Sequence, residues 1–371
     1  MIHREISDKR YQIDALDGLR GFAALIVVFS HTSNKGMFFL PLLDLRGIGK
    51  SGVFLFFLLS AFLLTMPLLD KGKEILSLSV MSHYWQRRFF RIYPLYTLYL
   101  LAAVLTTLLF KSGIGIPFEL DWLGFWDHIT LQEGRGVTWS IGVEFKFYFI
   151  LPIIALITVI ILPFGFSAAL TFLLLLLILT QVIFPQSESV VNDIRLLPYM
   201  PIFIMGTILA LIQHHINSRN IASKTLEMFL RILGYFGLIG IIVMTPLVFT
   251  MIKGHWVSNS YFHKQFILYA LLWSFVLLSA INVKGLIQYF FALPSLRFIG
   301  ALSFSLYLFH PVWAGAVHNW GLNTYVSAWL VLFCSTVSAY ISFKLLEGPV
   351  SKFKFTRKSL VSFFAYKKNV S

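Results

Sequence analysis

An all-α, polytopic membrane protein with about ten transmembrane helices and both termini in the cytoplasm is the fold class that this sequence predicts. Three observations carry that prediction. Hydrophobic residues make up 58% of the 371 and charged residues only 12%, where soluble domains run to about half and a quarter. The apolar residues come in runs of roughly twenty, the length that crosses a hydrocarbon core of about 30 Å. Lys and Arg gather in alternate segments between those runs, as they do in cytoplasmic loops.

Taken in order, the runs fall at about 14–33, 52–69, 92–110, 139–161, 166–184, 197–215, 229–251, 263–281, 296–317 and 323–346. The first holds Gly18 and Gly21, which permit close helix packing beside Arg20. It reads as a retained helix and not a cleaved signal. The second is short. The sixth opens on Pro198 and Pro201, where proline is tolerated. The ninth contains Pro311, which predicts a kink or an early stop after His310. With the N-terminus inside, the inner segments hold Arg4, Lys9, Arg10, Lys71, Lys73, Arg87, Arg88, Arg91, Arg219, Lys224, Lys284 and Arg297. The outer segments hold fewer: Lys35, Arg46, Lys50, Lys111, Arg135, Arg195, Lys253 and Lys264. The outer loop between the third and fourth runs is acidic, with Glu119, Asp121, Asp127 and Glu133. The chain reads as a single domain, 1–371, with spans from about 14 to 346. A short basic tail, 347–371, suits an anionic inner leaflet.

The formal charge of +14 forms no single stripe, so membrane lipid and not nucleic acid is the implied partner. The lone Cys334 permits no internal disulfide and no cysteine metal site. His214 and His215 are adjacent, and His255 and His263 lie without a paired carboxylate. No metal site, Gly-rich phosphate loop or Gly-x-Ser-x-Gly elbow follows from such spacings. Oligomeric state has no signature here.

The unusual polar residues sort into two layers. Arg20 and His31 stand eleven residues apart in one apolar run, close to three helical turns and roughly 16 Å of rise, so they share a face. Ionisable groups inside a span are functional hypotheses by default; the plainer alternative is that both reach for the interfaces. Arg87, Arg88 and Arg91 precede the third run on the inner side. Grouped guanidinium groups suit several phosphate oxygens at once, although a cluster touching lipid headgroups accounts for them equally simply. Trp139, Ser140 and Glu144 open the fourth run on the outer side. Glu144 also suits a helix-dipole role there. Ser303, Tyr307 and His310 form one polar stripe by i, i+4, i+7 spacing. Such a stripe in a bilayer faces the bundle interior or a wet cavity. Glu347, before Gly348 and Pro349, ends the last run as a carboxylate near the inner face.

The segments LDGLRGFAALIVVFSH, SGVFLFFLLSAFLLT, RRFFRIYPLY, TWSIGVEFKFYFILP, LSFSLYLFHPV and LLEGP follow one another from Asp17 to Pro349. In that order they resemble the acyltransferase-3 family of integral membrane O-acyltransferases, of the bacterial surface-glycan type without an SGNH domain. Ala61 stands where the family usually has glycine, and Gly348 where lysine is common. The resemblance implies transfer of an acyl group, most often acetyl, from cytoplasmic acyl-CoA to a hydroxyl of a cell-surface carbohydrate or its lipid-linked precursor. It implies a multi-pass protein of the bacterial inner membrane. Acyl-CoA would be a donor co-substrate and not a permanent cofactor. Its nucleotide would dock on Arg87, Arg88, Arg91 and Arg20. Its pantetheine arm would run along the first span towards His31. A histidine suits general-base work at neutral pH, so His31, Arg20 and Glu144 are the expected catalytic residues. Trp139, Ser140, Ser303, Tyr307 and His310 would hold the acceptor, with Glu144 or His310 orienting His31 or the sugar. Ser60 and Glu347 would support the site. A transporter or exporter of a lipid-linked glycan is the competing class; it predicts paired repeats and broken midplane helices.

Overall fold

The structure, a computed structural model, describes residues 2–110, 118–221 and 223–351, with the side chains of residues 2–13, 110 and 351 outside the description. The tail beyond 351 and Lys111 lie outside the described residues, as do the side chains of Arg4, Lys9 and Arg10. Among the described residues the chain is helical, with no strand. The helices are α1 (Ile2–Asn34), α2 (Gly49–Lys71), α3 (Leu78–Phe110), α4 (Trp122–Ile129), α5 (Thr138–Ile161) and α6 (Phe166–Ile183). They continue with α7 (Met200–Arg219), α8 (Lys224–Val243), α9 (Pro246–Lys253), α10 (Asn259–Lys264), α11 (Phe266–Asn282) and α12 (Leu286–Phe291). Last come α13 (Pro294–Ala301), α14 (Ser303–His318), α15 (Thr324–Ser342) and a π-turn, Phe343–Glu347.

Eight helices among the described residues are long and apolar enough to cross a membrane, nine if α13 and α14 form one bent span. The apolar α11 is shorter, at 17 residues. These elements account for all ten apolar runs of the sequence, and the protein is a multi-pass integral membrane protein. Two boundaries differ from the sequence reading. The seventh run starts earlier and stops at Val243, because Pro246 opens the separate helix α9. The bend of the ninth lies at Leu302, where α13 meets α14 at 79°, and not at Pro311, which α14 carries in its interior. Proline removes one N–H from the ladder, and a membrane helix tolerates it where another donor takes the freed carbonyl. That carbonyl belongs to Tyr307, and its partner is described below.

Burial separates centre from periphery. The apolar windows of α2 and α7 are 72% buried, whereas those of α6 and α8 are 17% buried and present their side chains outwards. With lipid no more apolar than leucine, close approach is what holds such helices together. The α1 helix lies directly on α12 and α13. A Cβ on Gly18 would stand 1.5 Å from the Phe291 carbonyl oxygen, and one on Gly21 2.0 Å from that of Leu296. The packing expected of these two glycines is therefore present, backbone against backbone. Ala61 on α2, where glycine is usual, has its methyl against Gly206 of α7, whose own Cβ would meet it at 2.6 Å. Here the absent side chain that allows the close contact is that of Gly206.

Candidate active site

The last turn of α1 carries His31, and α14 brings the fully buried His310 against it. His31 Nδ1 and His310 Nε2 are 2.7 Å apart. His310 Nδ1 lies 3.1 Å from the Leu306 carbonyl, with the Tyr307 carbonyl also within its reach. A carbonyl only accepts, so Nδ1 of His310 carries its proton and Nε2 presents a lone pair. His31 Nδ1 must then be the donor. The chain of bonds leaves the lone pair of His31 on Nε2, the form a general base needs. Pro311 contributes to this arrangement. By lacking an N–H it leaves the Tyr307 carbonyl open to the imidazole of His310.

His31 opens into a cavity of about 220 Å³ whose other polar lining comes from Ser30, Asn34, Lys50, Trp139, Asn192, Asn259 and Tyr307. A second cavity, of about 270 Å³, is lined by Arg20, Arg88 and Arg91, with Ser60, Ser140, Glu144, Tyr148, Ser303 and Tyr307. Val53 and Tyr307 border both. The Tyr307 and Ser140 hydroxyls are 2.7 Å apart, and each is 3.1 Å from the Val137 carbonyl. This pair ties α14 to α5 at the boundary between the two spaces. In the arginine cavity, Arg20 Nη2 donates to Ser303 Oγ at 3.2 Å. Tyr148 donates to Glu144 Oε1 at 2.6 Å and meets Ser60 Oγ at 3.2 Å. Three guanidinium groups against one carboxylate leave that cavity positive, which suits a polyanion.

Several residues stand elsewhere than the sequence reading put them. Arg87 is exposed and lines neither cavity. Four residues before Arg91, it lies within about 40° of that side chain around the helix axis, so spacing alone does not decide which guanidinium enters the cavity. Glu144 lies with the arginines and not beside His31, because α5 carries it a turn beyond Ser140. His310, and not Glu144, orients His31. Ser303 serves Arg20. Trp139 borders the His31 cavity but is buried, with Phe57 and Tyr199 packed edgewise or tilted against it and the Lys50 ammonium 4.4 Å from its ring centroid. Glu347 lines neither cavity; the π-turn that bears it packs against α3, and its Oε1 is buried with no hydrogen-bond partner. Tyr148 and Lys50 were missed. Tyr148 stands four residues after Glu144, a spacing legible in the sequence. Lys50 had been counted only as an outer charge.

The walls of the His31 cavity depend on two neutral histidines in the connecting segments. His128 of α4 is fully buried, donates from Nδ1 to the Gly124 carbonyl at 2.7 Å, and accepts at Nε2 from the Arg135 N–H at 3.1 Å. Burial pulls it below the ordinary imidazole value. His263 of α10 meets the Tyr199 hydroxyl at 3.2 Å. Burial, with Lys50 nearby, pulls it down to about 3. Groups whose folded values are depressed contribute full stability above the unfolded value of 6.5, and that stability is lost as pH falls below it. Glu133, 3.9 Å from His128 Nδ1, offsets part of the loss. Hydrogen exchange in 118–137 and 257–264 is expected to lose protection between about pH 7.5 and about pH 5, after correction for intrinsic rates. Unchanged protection would show that neither histidine holds its segment.

Among the described residues no group of three or more His, Cys, Asp or Glu side chains is placed to hold a metal ion. The arrangement places a hydrogen-bonded histidine pair and an arginine-lined cavity on either side of Tyr307. That division, in a bundle of membrane helices, agrees with the family to which the chain belongs: the acyltransferase-3 family, whose model, described as an acyltransferase domain, matches residues 13–345. The chain is similar to the O-acetyltransferase OatA of Staphylococcus aureus, 26% identical over 92% of this chain and 57% of that protein. It is also similar to a putative O-acetyltransferase of Staphylococcus aureus strain COL, 24% identical over 93% of this chain and 58% of that one. The chain thus spans a little over half the length of these relatives. No solved structure gives a significant match.

Proposed function

We propose that the protein is a membrane-bound O-acetyltransferase that moves an acetyl group from acyl-CoA, held in the arginine cavity, to a carbohydrate hydroxyl in the His31 cavity. The observation that carries this reading is the bond chain Leu306 carbonyl–His310–His31, which leaves a lone pair on Nε2 of a histidine that lines a cavity next to a positive one. In the reaction, His31 Nε2 takes the proton of the acceptor hydroxyl as its oxygen attacks the thioester carbon. The carbon–sulfur bond breaks, the sulfur leaves as the thiolate, and it takes up the proton that His31 Nε2 holds, which restores the neutral base. Arg20, Arg88 and Arg91 bind the phosphates, with the nucleotide on the cytoplasmic side and the acceptor on the outer side. Tyr307 stands where the pantetheine arm must pass. The names of the relatives support acetyl as the group transferred and an oxygen as its destination; the carbohydrate follows from the resemblance of the six sequence segments to surface-glycan acyltransferases.

Equilibrium binding of acetyl-CoA to the wild type and three variants tests the division of labour. Arg88→Ala and Arg91→Ala are each expected to weaken binding, since a bond to a charged group contributes about 1.5–3 kcal/mol, reduced here by water at the cavity mouth and by redundancy within the cluster. Lysine at either position should restore part of the loss, because the charge survives without the bidentate fork. His31→Ala should leave binding nearly intact. Equal loss in all three would mean one site and not two.

A further inference from the structure

We propose that Lys50 makes the His31 cavity selective for an acceptor that carries a carboxylate near the hydroxyl to be acylated. This rests on the reading of that cavity as the acceptor's. The ammonium of Lys50 borders the cavity together with His31, Asn34, Asn192 and Asn259. It is held by the Asn192 side-chain carbonyl and by the face of Trp139. Among the described residues no carboxylate lies within ion-pair distance of it. Asp44, the nearest acid in sequence, is engaged with Arg46, and Asp193, next to the Asn192 that holds the ammonium, is engaged with Arg195. Lys50 also sits in the first turn of α2, which holds no acidic residue, at the helix end where a cation is disfavoured. A half-buried charge placed against the helix dipole and without a counter-ion is costly; a ligand anion supplies what the fold omits.

The remaining polar lining fits the same ligand. Asn34, Asn192 and Asn259 offer amides that both donate and accept, as sugar hydroxyls require. Because the ammonium covers a face of Trp139, an acceptor ring cannot stack there, and recognition is polar and ionic. Lys50 lines the same cavity as His31, so a carboxylate held by its ammonium would lie close to the hydroxyl that His31 deprotonates.

The test is equilibrium binding of two acceptors to the whole protein in detergent without donor: a short uronic-acid oligosaccharide and the same oligosaccharide with its carboxyl groups reduced. Wild type is expected to bind the charged form about ten- to a hundredfold more tightly, the range of a charge-assisted contact, with the difference shrinking as salt rises. Lys50→Met keeps the apolar stem over Trp139 and should bring the charged form down to the neutral one; Lys50→Arg should keep most of the difference. Equal binding of both forms by wild type, or equal weakening of both by Lys50→Met, overturns the proposal. Transfer from acetyl-CoA is measured separately. Discrimination that persists without transfer supports Lys50 selectivity and counts against the acyl-transfer reading.

Discussion

His31→Ala is expected to lower the rate of acetyl transfer by about two to four orders of magnitude, the usual loss on removing a general base, in a protein that still inserts and folds. The imidazole sits at the end of α1, half-buried and facing a cavity, so its removal disturbs little packing. His310 supplies the sharper test. Its buried Nε2 accepts from His31 and thereby sets the tautomer of the base. His310→Leu removes that acceptor and should cost most of the activity, with acetyl-CoA binding unchanged. His310→Gln retains an acceptor and should keep a measurable part. Single-turnover transfer with folded preparations of each variant decides the matter. Near-normal activity of His31→Ala would remove it from the chemistry altogether.

Gly21→Leu is expected to prevent the bundle from assembling. Overpacking a core costs typically about 1–3 kcal/mol when side chains can shift. Here the obstacle is backbone: the new Cβ would lie 2.0 Å from the Leu296 carbonyl oxygen and 2.8 Å from the Gly300 nitrogen. Rotamer changes give no relief, and α1 must leave α13. Arg20 and His31 ride on α1, so both cavities would lose a wall together. Monodisperse protein would fall to a small fraction of the wild-type yield, while Gly315→Leu on α14, where a Cβ meets nothing within 4 Å, should purify normally. Equal yields for the two would show that this close approach is dispensable.

The helices were legible because a membrane span announces itself through length and composition alone. The family was legible through six motifs in order. Arg20, Arg88 and Arg91 were placed together by spacing and side of the membrane, and they do line one cavity. Arg87, on nearly the same face by spacing, is exposed and lines neither cavity, because the neighbours that cover each turn of a helix are not written in its spacing. Of the two partners the sequence offers His31, Glu144 lines the arginine cavity and His310 is bonded to the base: sidedness in the sequence is coarse, and one further turn along α5 carries a side chain into the next cavity. The bend at Leu302 had no proline to mark it, while Pro311, which did, is absorbed by His310.

What the sequence by itself determined is therefore what depends on local composition: a multi-pass helical protein, a charged residue and a histidine on one face of the first span, and glycines where helices must touch. Pairings between distant segments were decided only by tertiary structure. His31 and His310 are 279 residues apart, Arg20 and Ser303 283, Ser140 and Tyr307 167. No periodicity encodes those contacts, because they arise from the rotation and depth at which whole helices pack. It is that packing which puts the proton of the His31–His310 bond on His31 Nδ1 and brings His31 and the Lys50 ammonium to one cavity, with no carboxylate among the described residues within ion-pair distance of that ammonium.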